Sequence, residues 1–164
     1  MTGGTDRAHP LDAERVAFIQ GPVSVIVASR NAELVADVVR GCGCRVSRDR
    51  RQVTVLVEQR RASALLDDIA ANSMIAVVFS QPSTHLTIQL KGTDARVVRV
   101  TAADRAAARQ HLLDWSADLG RIGFDAPFSA ALHGDTGELA AIRFTPTAAF
   151  QQTPGPAAGQ PLRS

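Results

Sequence analysis

Apolar and polar residues alternate most clearly between residues 74 and 92. The second half of this segment sets three aliphatic side chains against three hydrogen-bonding ones: Leu86, Ile88 and Leu90 against Thr87, Gln89 and Lys91. A period of two puts the two sets on opposite faces of a strand. Pro82 marks a turn, and residues 74–80 before it predict a strand of their own. The segment therefore predicts a hairpin with an apolar inner face and a polar outer row.

Similar patterns predict the other elements. Runs rich in valine predict strands at 23–29, 34–46 and 52–58, and the first is apolar enough to be covered on both faces. A last strand is expected at 139–145, and residues 94–100 are expected to extend the second hairpin strand. Helices are predicted at 12–20, 59–72 and 101–119.

The ends of these helices carry recognisable signals. Asp12 is placed as the N-cap of the first helix, and residues 101–104 resemble a capping box at the start of the third. Asn72 suits a left-handed position at the end of the second helix, and Gly120 is expected to stop the third.

This order of elements predicts a mainly β (α+β) fold, a six-stranded antiparallel split β-barrel with flanking helices. Gly41 and Gly43 lack the third glycine and the following helix of a dinucleotide-binding fingerprint, which argues against a Rossmann fold. We expect a single split-barrel domain at residues 1–150. The tail at 151–164 contains three prolines and two glycines and is expected to form no regular structure.

The composition narrows the range of partners. The 164 residues are 45% hydrophobic and 21% charged, with a formal net charge of +2. So small a charge, with acidic and basic residues mixed, argues against nucleic-acid binding, and the basic run 45–51 fits a solvated turn. No apolar run approaches the roughly 18 residues of a membrane helix, and residues 1–10 show no apolar signal segment. A cytoplasmic location and no membrane partner are expected.

Reactive residues show no arrangement typical of catalysis. Cys42 and Cys44 are separated by one residue, too close for an unstrained disulfide, and no histidine has ligand spacing around them. Buried reduced thiols are therefore expected. His111 falls on the exposed flank of the third predicted helix, and His133 falls in a loop. No serine lies in a nucleophile elbow, so the sequence assigns no catalytic residue.

The polar row of the hairpin leaves two interpretations open. Thr87, Gln89 and Lys91 present a hydroxyl, an amide and an ammonium group on one strand face. The amide can donate to and accept from a heterocycle, and the ammonium can pair with phosphate. Further groups able to bind an anion nearby are Ser80, Gln81, Arg60 and Arg61. In the other interpretation the row is only the solvated side of a strand.

Three positions have the spacing of a known family: Asn72 at the end of a helix, Phe79 on the next strand and Gly92 after the hairpin. With the order of the elements over residues 12–100, they resemble the pyridoxamine 5′-phosphate oxidase-like split β-barrel. Members of that family commonly bind FMN across a homodimer interface. The resemblance therefore implies a homodimer, an FMN cofactor and flavin-dependent redox chemistry.

The resemblance also implies a set of flavin-binding residues, with two departures. Where the family's oxidases carry a Ser-Arg-Lys group for the FMN phosphate, this chain has Ser63-Ala64-Leu65. The family's Arg-Gln pair before the glycine falls at Leu86-Thr87. Neighbouring residues are the expected replacements, and the strand segment that contacts the flavin ring aligns with residues 38–41. The implied cofactor-binding set is Arg40, Arg60, Arg61, Ser63, Thr87, Gln89 and Lys91.

The resemblance thus implies an FMN-binding split-barrel protein, a flavin-dependent oxidoreductase whose substrate the sequence does not specify. The missing phosphate contacts, each worth about 1.5–3 kcal/mol, argue against a true pyridoxamine phosphate oxidase. The alternative is a non-enzymatic dimeric split-barrel module that has lost FMN or binds another planar ligand. The expected partners are a second copy of the chain and a small-molecule ligand or flavin.

Overall fold

The structure is a computed structural model and describes residues 11–133 and 137–162. Its helices are α1 (Ala13–Ile19), α2 (Ser63–Asn72), α3 (Ala102–Arg121) and α4 (Ala126–His133). Its strands are β1 (Ser24–Arg30), β2 (Ala36–Val46), β3 (Val53–Glu58), β4 (Ile75–Ser80), β5 (Thr87–Gly92), β6 (Arg96–Val98), β7 (Leu139–Phe144) and β8 (Ala148–Gln151).

The described strands form one antiparallel sheet in the order β6-β7-β3-β2-β1-β4-β5-β8. Only residues 145–147 join β7 to β8. In the sheet, however, β7 is the second strand from one edge and β8 is the strand at the opposite edge. So short a connection requires the sheet to curl until its ends approach. Gly92 marks this approach, because a Cβ there would lie 2.6 Å from the Phe144 ring and 3.0 Å from the Thr145 carbonyl oxygen.

The curled sheet encloses the main core. Alternate residues of its strands point inward and are buried, and α2 adds the aliphatic side chains of Leu65 and Ile69. The largest fully buried members of this core are Phe79, Phe144, Ile19, Leu65, Ile69, Leu90 and Ile142. Each such side chain stabilises the fold by about 1.5–3 kcal/mol on burial.

α3 packs on the outside of the sheet and covers β2 and β3. Its contact is a second, smaller core made of Cys42, Leu56, Ala108, Leu139 and Ala141. β3 is therefore buried on both faces along its whole length. Asp104 at the start of α3 pairs with Arg45 at 2.8 Å, and Asp118 near its end accepts a hydrogen bond from Ser83 in the β4–β5 turn. The outward residues of β1, β4 and most of β5 are only half-buried.

Both cysteines are buried and free, which confirms the sequence prediction. They flank a bulge of β2 against β3, where Gly43 adopts a φ of 118°. Burial raises the pKa of Cys42 to about 11 and that of Cys44 to about 12. Both side chains are therefore protonated thiols at neutral pH.

The signals at the helix starts are confirmed. The Asp12 side chain caps α1, and Thr101 and Asp104 form the capping box of α3. α3 ends at Arg121, one residue beyond the predicted stop at Gly120, so this glycine lies in the last turn of the helix. A glycine in a helix lowers stability without breaking the hydrogen-bond ladder.

The end of α2 also differs from the prediction. The left-handed residue is Ser73, with a φ of 59°, and not Asn72, which is the last residue of the helix. The Asn72 side chain instead donates to the carbonyl oxygen of Arg30 at 2.5 Å and so ties α2 to the end of β1.

The predicted pairing of strands differs from the structure, because a local sequence pattern does not show which strand a given strand pairs with. Residues 94–100 do not extend β5; β6 pairs with β7 at the opposite edge of the sheet. The connection at 121–137 contains α4. Because β6 is a separate strand and β8 follows β7, the described residues form a sheet of eight strands where six are predicted. Residues 152–162 form neither helix nor strand, but they fold back on β8, where the Leu162 N–H donates to the Ala149 carbonyl oxygen at 2.8 Å.

Candidate functional site

The outer face of the sheet that α3 leaves uncovered is formed by β2, β1, β4 and β5 in that order. The strand register aligns its outward residues in three rows, and we call this face the platform. The rows are Ser24, Ser80 and Thr87; Arg40, Ile26, Val78 and Gln89; and Val38, Ala28, Ala76 and Lys91. Four predicted site residues, from β2 and β5, therefore face the same side of the sheet.

A line of polar side chains, the polar track, crosses the platform. Arg40 donates from Nη1 to the Ser24 hydroxyl at 2.9 Å. Ser80, which lies opposite Ser24, shares a hydrogen bond of 2.7 Å with the Thr87 hydroxyl. Two serines thus lie between Arg40 and Thr87 across the four strands. The guanidinium group has five N–H donors and each hydroxyl can both donate and accept, so the track retains capacity for a ligand.

Beside the polar track the platform is apolar. Ile26 and Val78 occupy its centre and are half-buried. At its far edge the Lys91 ammonium lies 5.2 Å from the centroid of the Phe150 ring, a cation–π distance. Leu86, which the period of two places on the buried face, precedes β5 and is 46% exposed because it still belongs to the turn. It lines a cleft against α1.

Along the β2 edge of the platform, α3 and α4 form a wall. The Arg40 guanidinium carbon lies 5.4 Å from the centroid of the Trp115 ring. His133, at the end of α4, packs against Trp115 and His111 with ring centroids 5.9 and 5.8 Å apart. All three rings are buried. Trp115 Nε1 and His133 Nε2 make no hydrogen bond within the described residues.

The burial of both histidines corrects the sequence interpretation, which places His111 on an exposed flank and His133 in a loop. The burial of His111 could have been predicted from the helical spacing. His111 lies three residues after Ala108 and four before Trp115, on the apolar stripe of α3. Burial, with a smaller effect of the neighbouring His133, lowers the pKa of His111 to about 4. Burial also lowers the pKa of His133, so both rings are neutral at neutral pH.

The remaining predicted residues lie where β3 ends and α2 begins; we call Glu58, Arg60, Arg61 and Ser63 the arginine corner. The Glu58 carboxylate accepts the backbone N–H of Arg61 at 2.8 Å and that of Arg60 at 3.1 Å. The hydrogen bond from Arg61 contributes most to lowering the pKa of Glu58, which stays ionised. α2 begins at Ser63 without a side-chain cap, which leaves its first N–H groups free of such a partner. A cavity of about 420 Å³ opens beside Glu58 and the two arginines.

The arginine corner adjoins the β2 edge of the platform. Gly41 of β2 pairs with Val57 of β3, so Arg40 and the corner lie at the same end of this strand pair. Arg40 and Arg61 both lower the pKa of His133, after the larger effect of its burial. The predicted residues of β5 lie beyond two intervening strands, about 14 Å from β2 at the usual strand spacing.

The described residues contain no group of three or more His, Cys, Asp or Glu side chains placed to hold a metal ion. Over the same ranges, none of the four helices has both the length and the apolar character needed to cross a bilayer.

Solved structures share this architecture. HupZ from Group A Streptococcus matches 91% of this chain and 99% of its own length, with a TM-score of 0.54 and 17% identity. A candidate pyridoxamine 5′-phosphate oxidase from Lactobacillus delbrueckii matches 85% of this chain and 93% of its own, with a TM-score of 0.52 and 14% identity. This chain has the pyridoxamine 5′-phosphate oxidase-like split-barrel fold. General stress protein 26 from Bacillus anthracis shares it, with a TM-score of 0.51, 13% identity and coverage of 84% and 90%.

No protein-family model and no curated protein matches the sequence, so the solved structures establish the fold alone. On this split barrel, an apolar surface bordered by hydrogen-bonding groups adjoins a basic corner. Such an arrangement can hold a planar heteroaromatic ligand that carries an anionic tail.

Proposed function

We propose that the protein binds FMN on the platform and acts as a flavin-dependent oxidoreductase. The observation that carries the proposal is the polar track from Arg40 to Thr87 beside the apolar centre of the platform. An isoalloxazine ring needs an apolar surface on which to lie and hydrogen-bonding groups along its edge. Bound FMN would supply hydride and electron transfer, and the residues of the chain would bind and orient it.

The arginine corner supports the phosphate end of this proposal. Arg60 and Arg61 line the cavity before α2, and Ser63 is the first residue of that helix, where N–H groups favour an anion. The N–H groups of the two arginines are already bound by Glu58. Phosphate contacts therefore fall to the side chains of Arg60, Arg61 and Ser63, and Gln89 and Lys91 are left for the far edge of the ligand.

A homodimer is part of the same proposal, with a second copy of the chain covering the platform. The apolar sequence of β1 predicts a strand that is buried on both faces. In a single chain, however, its outward side chains Ile26 and Ala28 are only half-buried. Beside them Leu34, Val35 and Val38 of the β2 edge are 70%, 59% and 59% exposed. An apolar face of this kind is typical of a subunit interface.

Titration of FMN tests the flavin proposal. We expect FMN fluorescence to be quenched on binding, and Arg40→Gln to weaken the affinity about tenfold through loss of a charge-assisted contact. Arg48→Gln, which removes an exposed arginine in the turn between β2 and β3, is the matched control and leaves FMN affinity unchanged. Absence of quenching by the wild-type protein at any FMN concentration would rule the proposal out.

The role of the arginine corner is tested separately with riboflavin, which lacks the phosphate. The double variant Arg60→Gln, Arg61→Gln is expected to weaken FMN but not riboflavin, because only FMN presents an anion to the corner. Equal losses for both ligands would place the phosphate elsewhere.

A non-enzymatic dimeric split-barrel module is the second candidate, and Glu58 favours it. Its ionised carboxylate holds the backbone N–H groups that an incoming phosphate would use, and it repels a second anion. Glu58→Gln is expected to strengthen FMN binding if the corner is a phosphate site, with the exposed Glu33→Gln as control. A dimer that binds no FMN even with Glu58→Gln supports the module.

Two further parts of the proposal concern activity and location. Ala64 and Leu65 stand where the family's oxidases carry basic phosphate ligands, so we do not assign pyridoxamine phosphate oxidation to this chain. The buried free thiols suit a reducing compartment, and we place the protein in the cytoplasm.

A further inference from the structure

A second basic surface lies beside the arginine corner, on α3. Arg105 and Arg109 line a cavity of about 250 Å³ together with Gly137. Gly137 also lines the cavity of about 420 Å³ at the arginine corner. The two cavities therefore adjoin at this residue. We call them together the arginine groove, with the pair Arg60 and Arg61 in one part and the pair Arg105 and Arg109 in the other.

The positive charge of this groove is largely uncompensated within the described residues. Arg60, Arg105 and Arg109 have no ion-pair partner there, while Arg61 lies 3.9 Å from Glu58. Glu58 is the one acidic side chain among the described lining residues, and its carboxylate is already bound by two backbone N–H groups. Arg105 and Arg109 lie one helical turn apart, where like charges repel. A bound anion would relieve this repulsion.

Gly137 is the lining residue that the two cavities share. A Cβ at this position would lie 3.4 Å from Glu58 Oε1, so a side chain there would extend toward the arginine corner. Because the cavities adjoin here, a ligand that extends from one into the other meets both arginine pairs.

We propose that the arginine groove binds a small molecule that carries a polyphosphate chain, with one arginine pair for each end of the chain. Guanidinium groups bind phosphate oxygens through paired, charge-assisted hydrogen bonds, and two pairs in adjoining cavities match two phosphate groups of one ligand. A single phosphate can engage only one pair. Arg60 and Arg61 are shared with the proposed FMN phosphate site, whereas Arg105 and Arg109 lie on α3, outside the platform. The α3 pair therefore distinguishes the two proposals.

Calorimetric titration with inorganic tripolyphosphate tests the proposal. We expect Arg105→Gln with Arg109→Gln, and separately Arg60→Gln with Arg61→Gln, each to weaken binding at least about tenfold. The control pair Arg48→Gln with Arg51→Gln removes the same charge from the turn at the opposite end of β3 and is expected to change the affinity less than about twofold. All substituted side chains are exposed, and circular dichroism checks that the fold is retained.

Three results would overturn the proposal: no saturable binding of tripolyphosphate, equal losses in the α3 pair and the control pair, or orthophosphate binding that depends on both arginine pairs as strongly as tripolyphosphate does. FMN titration of the same variants separates this site from the platform. The α3 pair is expected to leave FMN affinity unchanged. If the wild-type protein fails to bind FMN while tripolyphosphate behaves as expected, the flavin proposal fails and the groove stands.

Discussion

Asp118 on α3 accepts two hydrogen bonds from Ser83, one from its hydroxyl at 2.6 Å and one from its backbone N–H at 2.9 Å. Gln81 donates a third at 3.1 Å. Burial tends to raise the pKa of this carboxyl, but the hydrogen bonds outweigh it and lower the pKa. The buried carboxylate therefore ties the β4–β5 turn, where the polar track ends, to the wall formed by α3.

Asp118→Asn is expected to lower the free energy of unfolding by about 2–3 kcal/mol, because an amide nitrogen placed against Ser83 cannot accept its hydrogen bonds. Asp114→Asn, one turn earlier on the same helix and partly exposed, is the control and is expected to change it by less than about 0.5 kcal/mol. Urea denaturation followed by tryptophan fluorescence measures both. Similar losses for the two variants would show that the contact with Ser83 contributes no special stability.

The pH dependence of stability is expected to report on His111. Its ring faces His133 of α4, Arg40 of β2 and Asp114 of α3, and its pKa is lowered from 6.5 to about 4, chiefly by burial. The unfolded chain binds a proton that the folded chain does not, so this contribution is complete above pH 6.5 and is lost as the pH falls toward 4. His133 acts in the same direction.

The expected slope between these limits approaches about 1.4 kcal/mol per pH unit for one such group. Urea denaturation at a series of pH values is expected to give a shallower slope for His111→Gln than for the wild-type protein. His85→Gln, which changes an exposed histidine, serves as the control. An unchanged slope in His111→Gln would contradict the assignment.

Gly92→Ala tests the closure of the sheet. The added methyl group would meet the Phe144 ring at 2.6 Å and the Thr145 carbonyl oxygen at 3.0 Å, and we expect a loss of about 1–3 kcal/mol in the free energy of unfolding. Gly120→Ala offers a matched comparison, because it lies within α3 with no atom within 4 Å of the new Cβ. Helix propensity predicts that this variant gains about 0.5–1 kcal/mol. The same sign for both variants in thermal melts would contradict the close approach at Gly92.

The thiols of Cys42 and Cys44 are expected to resist modification in the folded protein. The thiolate is the reactive form, and pKa values of about 11 and 12 leave very little of it at pH 8. Ellman's reagent is expected to react with two thiols after the protein is unfolded in urea. In the folded protein we expect no rapid reaction with either thiol. Arg48→Cys, an exposed position, provides a thiol that reacts at once. Native-state labelling of Cys42 or Cys44 faster than global unfolding would disprove their burial.

Prediction from the sequence succeeded where the deciding interactions are local. The period of two in residues 87–92 gives β5, and the N-cap at Asp12 and the capping box at Thr101 involve residues at most three apart. The same local reasoning failed for Leu86, because alternation does not show where a turn ends and a strand begins. It failed again for His133, because the residues of α4 are almost all apolar. They show no pattern of apolar and polar positions that would distinguish a helix from a connecting loop.

The cofactor-binding residues chosen from the resemblance remain predictions, and their placement shows what local pattern lacks. Arg40 and Thr87 are 47 positions apart in the chain, and only the sheet order and register bring them to one face with Ser24 and Ser80 between them. Arg105 and Arg60 are 45 positions apart in the chain and line adjoining cavities because α3 packs across the sheet.

The sequence by itself determined the local elements, because periodicity and capping act over a few residues, and it carried the resemblance to a split barrel in the spacing of Asn72, Phe79 and Gly92. The tertiary structure alone decided that β6 crosses to the far edge, that Trp115 and two histidines form a buried wall, and that Glu58 binds the backbone of the arginine corner. These features depend on which surfaces meet when the sheet curls and α3 packs upon it. That outcome is set by the summed packing of the whole core and not by any short segment.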